Sequence, residues 1–351
     1  MIPSDRFDGL LERPELAFDE ERPARRFRGA SVLVTGAGGS IGSALVRQLI
    51  ELGAERVVCY ESHEPSLFRL GVGLRDLGLG SRAVLSLGDA RDAPRIDRLV
   101  SSYSVDAVFA LAAYKHVPLA EENADQVAAV NVVALADAIE VCDSRQVANF
   151  IFPSSDKAVR PPSLYGATKR FAECAVRERG SSAATTQGTA VRLVNVFGTA
   201  GNVIELFAAR FAAGQRVGLT DERMTRYWMT RREAVWLLAT ASTLANESSL
   251  YIGAVGDPVP LLTTTRRLAS MMGVDDPQID IVGIRPGERL SEELAYAFET
   301  VVATPVADIL EIVSQRRHPR IVDAVARLRT CVATGDAFGA RSILMDASFV
   351  T

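Results

Sequence analysis

A chain of 351 residues with 48% hydrophobic and 23% charged side chains can bury one large core or two modest ones, which excludes disordered and fibrous classes. Its net charge of −4, with acids and bases interspersed, gives no long-range pull toward nucleic acid or an anionic membrane surface. Four dispersed cysteines and three scattered histidines make neither a disulfide framework nor a metal cluster, which suits a reducing cytoplasm, and no apolar run approaches the roughly 20 residues of a membrane helix.

Residues 1–28 are charged and irregular, with Pro14, Pro23 and arginines at 22, 25, 26 and 28. They are expected to form a solvated arm lying loosely on the core, an oligomer contact being the alternative. From Ser31 short apolar runs alternate with helical patterns. The runs are SVLV at 31–34, RVVCY at 56–60, AVLSL at 83–87, DAVFAL at 106–111, NFIFPS at 149–154 and TAVRLV at 189–194. Helices are expected near 40–53, 64–78, 93–103, 124–143 and 163–179. The alternation predicts right-handed βαβ crossovers, hence an α/β fold: a Rossmann doubly wound parallel sheet over 29–200. A smaller substrate-binding region and terminal helices follow at 201–351, some elements interleaving with the Rossmann part.

Between the first run and the first helix lies TGAGGSIGS, residues 35–43. Glycines in a strand-to-helix turn let backbone amides approach a dinucleotide pyrophosphate at a helix N-terminus. Gly36, Gly39 and Gly42, with Ser40 and Ile41, form that turn, and Ile41, Leu45 and Leu49 continue the helix's apolar face. Glu61 closes the second run where an acid would grip the adenosine ribose, and Asp89 sits where a side chain would bond the adenine amine. Ala112, after the fourth run, completes the cofactor set. A carboxylate at position 61 also repels the 2′-phosphate of NADP, so the expected cofactor is NAD.

The fifth run leads into SSDKAVRPPSLYGATKR. Tyr165 and Lys169, four apart, share one helix face, and a tyrosine acts as a base near neutrality only where a cation stabilises its phenolate. Asp156 and Lys157 follow the same strand's C-terminal end, where doubly wound folds gather catalytic groups.

TGAGGSIGS, LAAYKHVPLAEENADQVAAVNV, SSDKAVRPPSLYGATKR, TRYWMT and GIRPGERLSEEL together resemble the extended short-chain dehydrogenases, and within them the polysaccharide-biosynthesis family of UDP-N-acetylglucosamine 4,6-dehydratases. The early DGLLERPELAFD is similar to the stretch that follows the membrane helices of anchored members, so the chain is expected to be a soluble form or a catalytic fragment. The resemblance implies that Tyr165, supported by Lys169, deprotonates the sugar C4 hydroxyl while Ser155 holds that oxygen. It further implies Lys157 as base at C5 and Asp156 as acid for the departing C6 hydroxyl. Lys115, Asn195, Arg226, Arg285 and Glu288 match positions around the substrate, and His116 either joins them or packs as a core histidine.

The chain departs from the family pattern at Ala110, at Val132 to Leu135, at Leu193 and Val194 and at Glu205, all near the pockets. Those changes point to an altered sugar or outcome, outside envelope synthesis. A nucleotide-sugar epimerase and a non-catalytic nucleotide-binding protein are the rival readings. A homo-oligomer built on dimers is expected, with Ala128, Val132, Leu135, Ala136, Ile139, Phe171 and Ala175 paired across a two-fold axis.

Overall fold

The computed structural model describes residues 7, 9–179, 186–244, 249–284, 287–316, 318–346 and 349. A short helix, α1 (Glu21–Phe27), precedes β1 (Ser31–Thr35). Then come α2 (Ser40–Glu51), β2 (Arg56–Glu61), α3 (Glu64–Asp76), β3 (Ala83–Leu87), α4 (Ala93–Ser102) and β4 (Ala107–Ala110). After α5 (Val117–Glu122), α6 (Ala124–Ala128) runs through a π-helical turn, Ala129–Val133, into α7 (Ala134–Ser144). β5 (Asn149–Ser155), α8 (Leu164–Arg179) and β6 (Gln187–Leu193) complete the alternation. β1, β4 and β5 are buried along their whole length, as strands covered on both faces must be. The side-chain period of two sorts them: Val32 and Val34 join Leu45, Leu49 and Trp236 on one face, while Leu33 joins Val58, Phe150 and Val176 on the other.

The parallel order is β3-β2-β1-β4-β5-β6, and the direction of winding reverses between β1 and β4. That switch opens a crevice at the strands' C-terminal ends. Beyond β6 the chain supplies the crevice's other wall: β7 (Asn195–Val196), α9 (Val203–Ala212), β8 (Val217–Leu219), β9 (Thr225–Arg226) and β10 (Trp228–Met229). α10 (Arg231–Ala241), started by a capping box between Thr230 and Glu233, packs on α2. β11 (Ser249–Gly253) then joins β6 in parallel. After β12 (Val259–Pro260), α11 (Leu261–Met271) and β13 (Ile279–Ile281), the antiparallel β14 (Thr300–Ala303) and β15 (Ile309–Val313) finish a nine-stranded sheet. α12 (Ile321–Thr334) and α13 (Ala337–Leu344) end the described chain.

Two expectations are corrected here. The arm is tied down: Phe7, Leu10, Leu16 and Phe27 are buried. Arg13 donates to the Val255 and Trp228 carbonyls and to both oxygens of Glu233, the α10 cap residue. Charge in a proline-broken segment hid four apolar anchors. The surface proposed for the two-fold axis is also taken. Ala128, Val132, Ala136, Phe171 and Ala175 pack in one cluster with Ile321, Ala324, Leu328, Ile343 and Leu344 of α12 and α13, while Leu135 and Ile139 face the sheet. The terminal helices fill the place assigned to a partner.

Candidate active site

The loop after β1 carries the glycines because side chains have no room there. Gly36 has φ 65°, and a Cβ on it would lie 2.9 Å from the Ala112 nitrogen; one on Gly42 would strike the Gly36 carbonyl. Ala112 is thereby placed as backbone packing under the turn, its amide donating to Thr35 Oγ1 at 3.2 Å. Gly39 caps α2 without any side-chain acceptor, which leaves first-turn amides for an anion. Ser40 accepts from the Ala200 amide, so the turn is joined to the opposite wall. These features fit a dinucleotide's pyrophosphate.

Glu61 turns back onto the loop, accepting from the Gly38 amide at 3.0 Å and the His63 amide at 2.9 Å. Asp89 is engaged by the neighbouring Arg91 at 2.6 Å in an exposed pair, so an adenine amine would compete with that arginine. Arg91 is two residues from Asp89, and the sequence reading passed over it.

A cavity of about 840 Å³ opens between this loop and the second wall, lined by Gly36, Gly39, Ser40, Ile41, Gly42, Lys115, His116, Ser155, Lys157, Tyr165, Lys169, Asn195, Arg226 and Glu288 among others. Thus most expected residues meet in one place. His116 is exposed on the rim and is not a packed core histidine. Arg285 lies outside the described residues.

β5 delivers Ser155 into a 3₁₀ turn, Asp156–Ala158, and α8 lies directly on that turn. Gly166 permits the approach, since a Cβ there would collide with the Lys157 carbonyl. The π-helical turn aims Asn131 at the same region: its amide bonds both the Tyr114 backbone and Thr168 Oγ1, one residue before Lys169.

The roles differ from expectation at four residues. Lys169 donates to the Pro153 carbonyl at 2.9 Å and stands 6.0 Å from the Tyr165 ring centre; burial lowers its pKa to about 8. Burial raises Tyr165 to about 12, and the cation that opposes this is Lys157. Ser155 Oγ is occupied, donating to Asp156 Oδ1 at 2.7 Å. Asp156 itself is absent from the cavity wall: its side chain is wholly buried behind Ser155 and Lys157.

Lys157 Nζ lies 3.2 Å from Asp156 Oδ1 and 2.7 Å from Glu292 Oε1. Burial alone would lower its pKa, but the two carboxylates outweigh it and hold the ammonium form. Asn195 is drawn into the same cluster, accepting from Lys157 and donating to Glu292 and the Tyr227 carbonyl. Arg226 Nε lies 3.4 Å from Glu292, and Glu288 accepts from Thr220. Of this cluster the sequence reading missed Glu292, four residues beyond Glu288 in the same GERLSEEL stretch. It also missed a second buried group: Arg192, fully enclosed, donates to both Glu173 and Glu299, with Arg170 beside them.

The model of a family described as "Polysaccharide biosynthesis protein" matches residues 32–314. A probable polysaccharide biosynthesis protein, EpsC of Bacillus subtilis, is 35% identical over 291 residues, 82% of this chain and 48% of that protein. The chain thus spans about half the length of that relative. The Campylobacter jejuni protein named UDP-N-acetylglucosamine 4,6-dehydratase (inverting) is 30% identical over 304 residues, covering 82% of this chain and 86% of its own. Among solved structures, Pen from Bacillus thuringiensis superimposes with a TM-score of 0.77 at 27% identity, over 83% of this chain and 91% of that one. No helix among the described residues is long and apolar enough to cross a membrane.

Proposed function

Because the chain belongs to the polysaccharide biosynthesis protein family, matched over residues 32–314, we propose that it is an NAD-dependent nucleotide-sugar 4,6-dehydratase acting on UDP-N-acetylglucosamine. The name of the Campylobacter relative supports the substrate. The observation that carries the chemistry is the convergence of Ser155, Lys157 and Tyr165 on one cavity, with Asp156 directly behind them.

The turn of Gly36, Gly39 and Gly42 would hold a nicotinamide cofactor, whose chemistry there would be hydride acceptance from C4 and hydride donation to C6. Glu61 favours NAD, since a 2′-phosphate would meet its carboxylate. Lys115, Arg226 and Glu288 hold the nucleotide diphosphate and sugar on the far wall.

Tyr165 removes the C4 hydroxyl proton, and Lys157 is the near cation that makes its phenolate accessible. The resulting 4-ketone acidifies C5. Lys157 cannot take that proton as an ammonium ion, so it first passes one across its 3.2 Å contact to Asp156. A single transfer produces a neutral amine facing C5 and a protonated carboxyl behind it, with no change in total charge. Lys157 then removes the C5 proton. Asp156 releases its proton to Ser155 Oγ, whose own hydroxyl proton goes to the departing C6 oxygen, which leaves as water. The hydroxyl ends donating to Asp156, as in the present structure. Acid and base are in this way the two ends of one hydrogen bond.

An epimerase has no use for an acid directed at C6, and this sets it apart. Incubating the protein with UDP-N-acetylglucosamine and following mass decides between them. Loss of one water supports dehydration, whereas a product of unchanged mass overturns it. In heavy water the product should carry deuterium at C5, because that proton returns from solvent.

A further inference from the structure

Glu292 comes from the segment between β13 and β14, more than a hundred residues from the catalytic turn, yet it is 8% exposed and pressed against that turn. It does not line the cavity. Lys157 Nζ lies at 2.7 Å and Asn195 Nδ2 at 3.0 Å, and the same Nζ lies 3.2 Å from Asp156 Oδ1, so the two buried carboxylates meet on one ammonium. Two ionised carboxylates cannot hydrogen-bond to each other; a carboxyl and a carboxylate can.

A second observation points the same way. Asp156 Oδ1 accepts from Ser155 Oγ, from the Lys157 amide and from Lys157 Nζ. Asp156 Oδ2 is buried and has no donor among the described residues. A proton on the pair gives that oxygen a partner, and an orphaned buried oxygen is otherwise costly.

We infer that the proton Lys157 gives up is held jointly by Asp156 and Glu292, and that Glu292 is the positioning residue that keeps it there. This rests on reading the site as a dehydratase. The groups facing the pair are Lys157 from the turn, Tyr165 from α8, Arg226 and Tyr227 from the second wall, and Arg289 from the segment of Glu292 itself. Burial first, and then Glu292, raise Asp156 to about 7, while Lys157 outweighs burial to hold Glu292 low. Below that range solvent supplies the pair's proton, Lys157 has nowhere to discharge, and dehydration falls.

Glu292→Gln places an amide donor against Asp156 and removes the repelling charge. The acid limb of dehydration should then move down by about one pH unit or more, while Glu292→Asp keeps it near the wild-type position. A side chain that merely held Lys157 in place would lower activity at every pH without moving the limb. The proton itself is read without turnover, from the infrared stretch of a protonated carboxyl between mildly acidic and neutral pH. That band should vanish in Asp156→Asn, which also serves if Glu292→Gln fails to fold. A wild-type band that survives Asp156→Asn, or an unmoved acid limb in active Glu292→Gln, overturns the inference. Absence of dehydration by a wild-type protein that shows the band sinks the dehydratase reading alone.

Discussion

Two buried charge clusters lie a few residues apart along the same strands, and each joins a pair of carboxylates to basic side chains. Beneath β6, Arg192 spans Glu173 and Glu299, and all four carboxylate oxygens receive donors from Arg192, Arg170, Ser154 or the Tyr296 amide. Burial would raise Glu173, but Arg192 holds it down at about 2. At the cavity, Asp156 and Glu292 share a lysine, one oxygen has no donor, and burial with Glu292 pushes Asp156 up to about 7. A guanidinium never gives up its proton and fits carboxylates two bonds at a time; an ammonium does neither. The first cluster can only hold β6, α8 and the segment around residue 299 together. The second has a proton to move and a wall to move it through.

The largest effect should come from taking proton mobility out of the cavity cluster. Lys157→Ala should slow dehydration by about 10²–10⁴, the usual cost of losing a general acid or base, and should also slow reduction of the cofactor at C4, read by absorbance, because Lys157 is the cation beside Tyr165. Lys157→Arg is the sharper test, since it keeps the charge and the carboxylate contacts while ending exchange. It should lose about as much as the alanine variant. Dehydration by Lys157→Arg within threefold of wild type, roughly 0.7 kcal/mol, would show that charge alone suffices.

In the other cluster the same logic predicts a loss of stability. Arg192→Met strands two carboxylates with Arg170 as the remaining partner, and breaking a buried pair in this way costs about 3–5 kcal/mol. Denaturant unfolding should show it as a lower midpoint at unchanged slope. A midpoint within error of wild type would mean the network relaxes or takes in water. Such a variant, where folded, should keep its cofactor reduction.

Most of the sheet was legible because local pattern and global fold agree: six apolar runs of strand length, with helical patterns between them, became the six parallel strands within a residue or two. The glycine turn and the shared cavity-facing side of Tyr165 and Lys169 were legible because their spacing is local, but the cation acting on Tyr165 proved to be Lys157. What stayed hidden depends on contacts across the chain. Glu292 meets Lys157 across a long stretch of sequence, and its neighbours Ser291 and Glu293 make it look like a solvated run. Arg192 did carry a signal, since a charged residue inside TAVRLV must be paired if that strand is buried. The apolar stripes of α6 and α8 were read correctly as faces needing cover, but period alone does not say whether a second copy or the chain's own terminal helices supply it.

The smallest effect is the one that separates the clusters without touching catalysis. Asp156 has a folded pKa of about 7, raised above the ordinary carboxylate value near 3.8, so between those limits the folded protein binds a proton that the unfolded chain does not. Stability attributable to Asp156 is therefore present at the acidic end of that window and lost as pH rises through neutrality, at no more than about 1.4 kcal/mol per pH unit. Glu173 and Glu292, held near 2 in the folded protein against an ordinary 4.5, add a slope of the opposite sign only at the acid end of that window. Subtracting the unfolding free energy of Asp156→Asn from that of wild type, pH by pH from mildly acid to mildly alkaline, cancels the histidines and isolates this one group. The difference should fall with rising pH. A flat difference would mean Asp156 is ionised throughout, in which case the acid limb assigned to the pair has another origin.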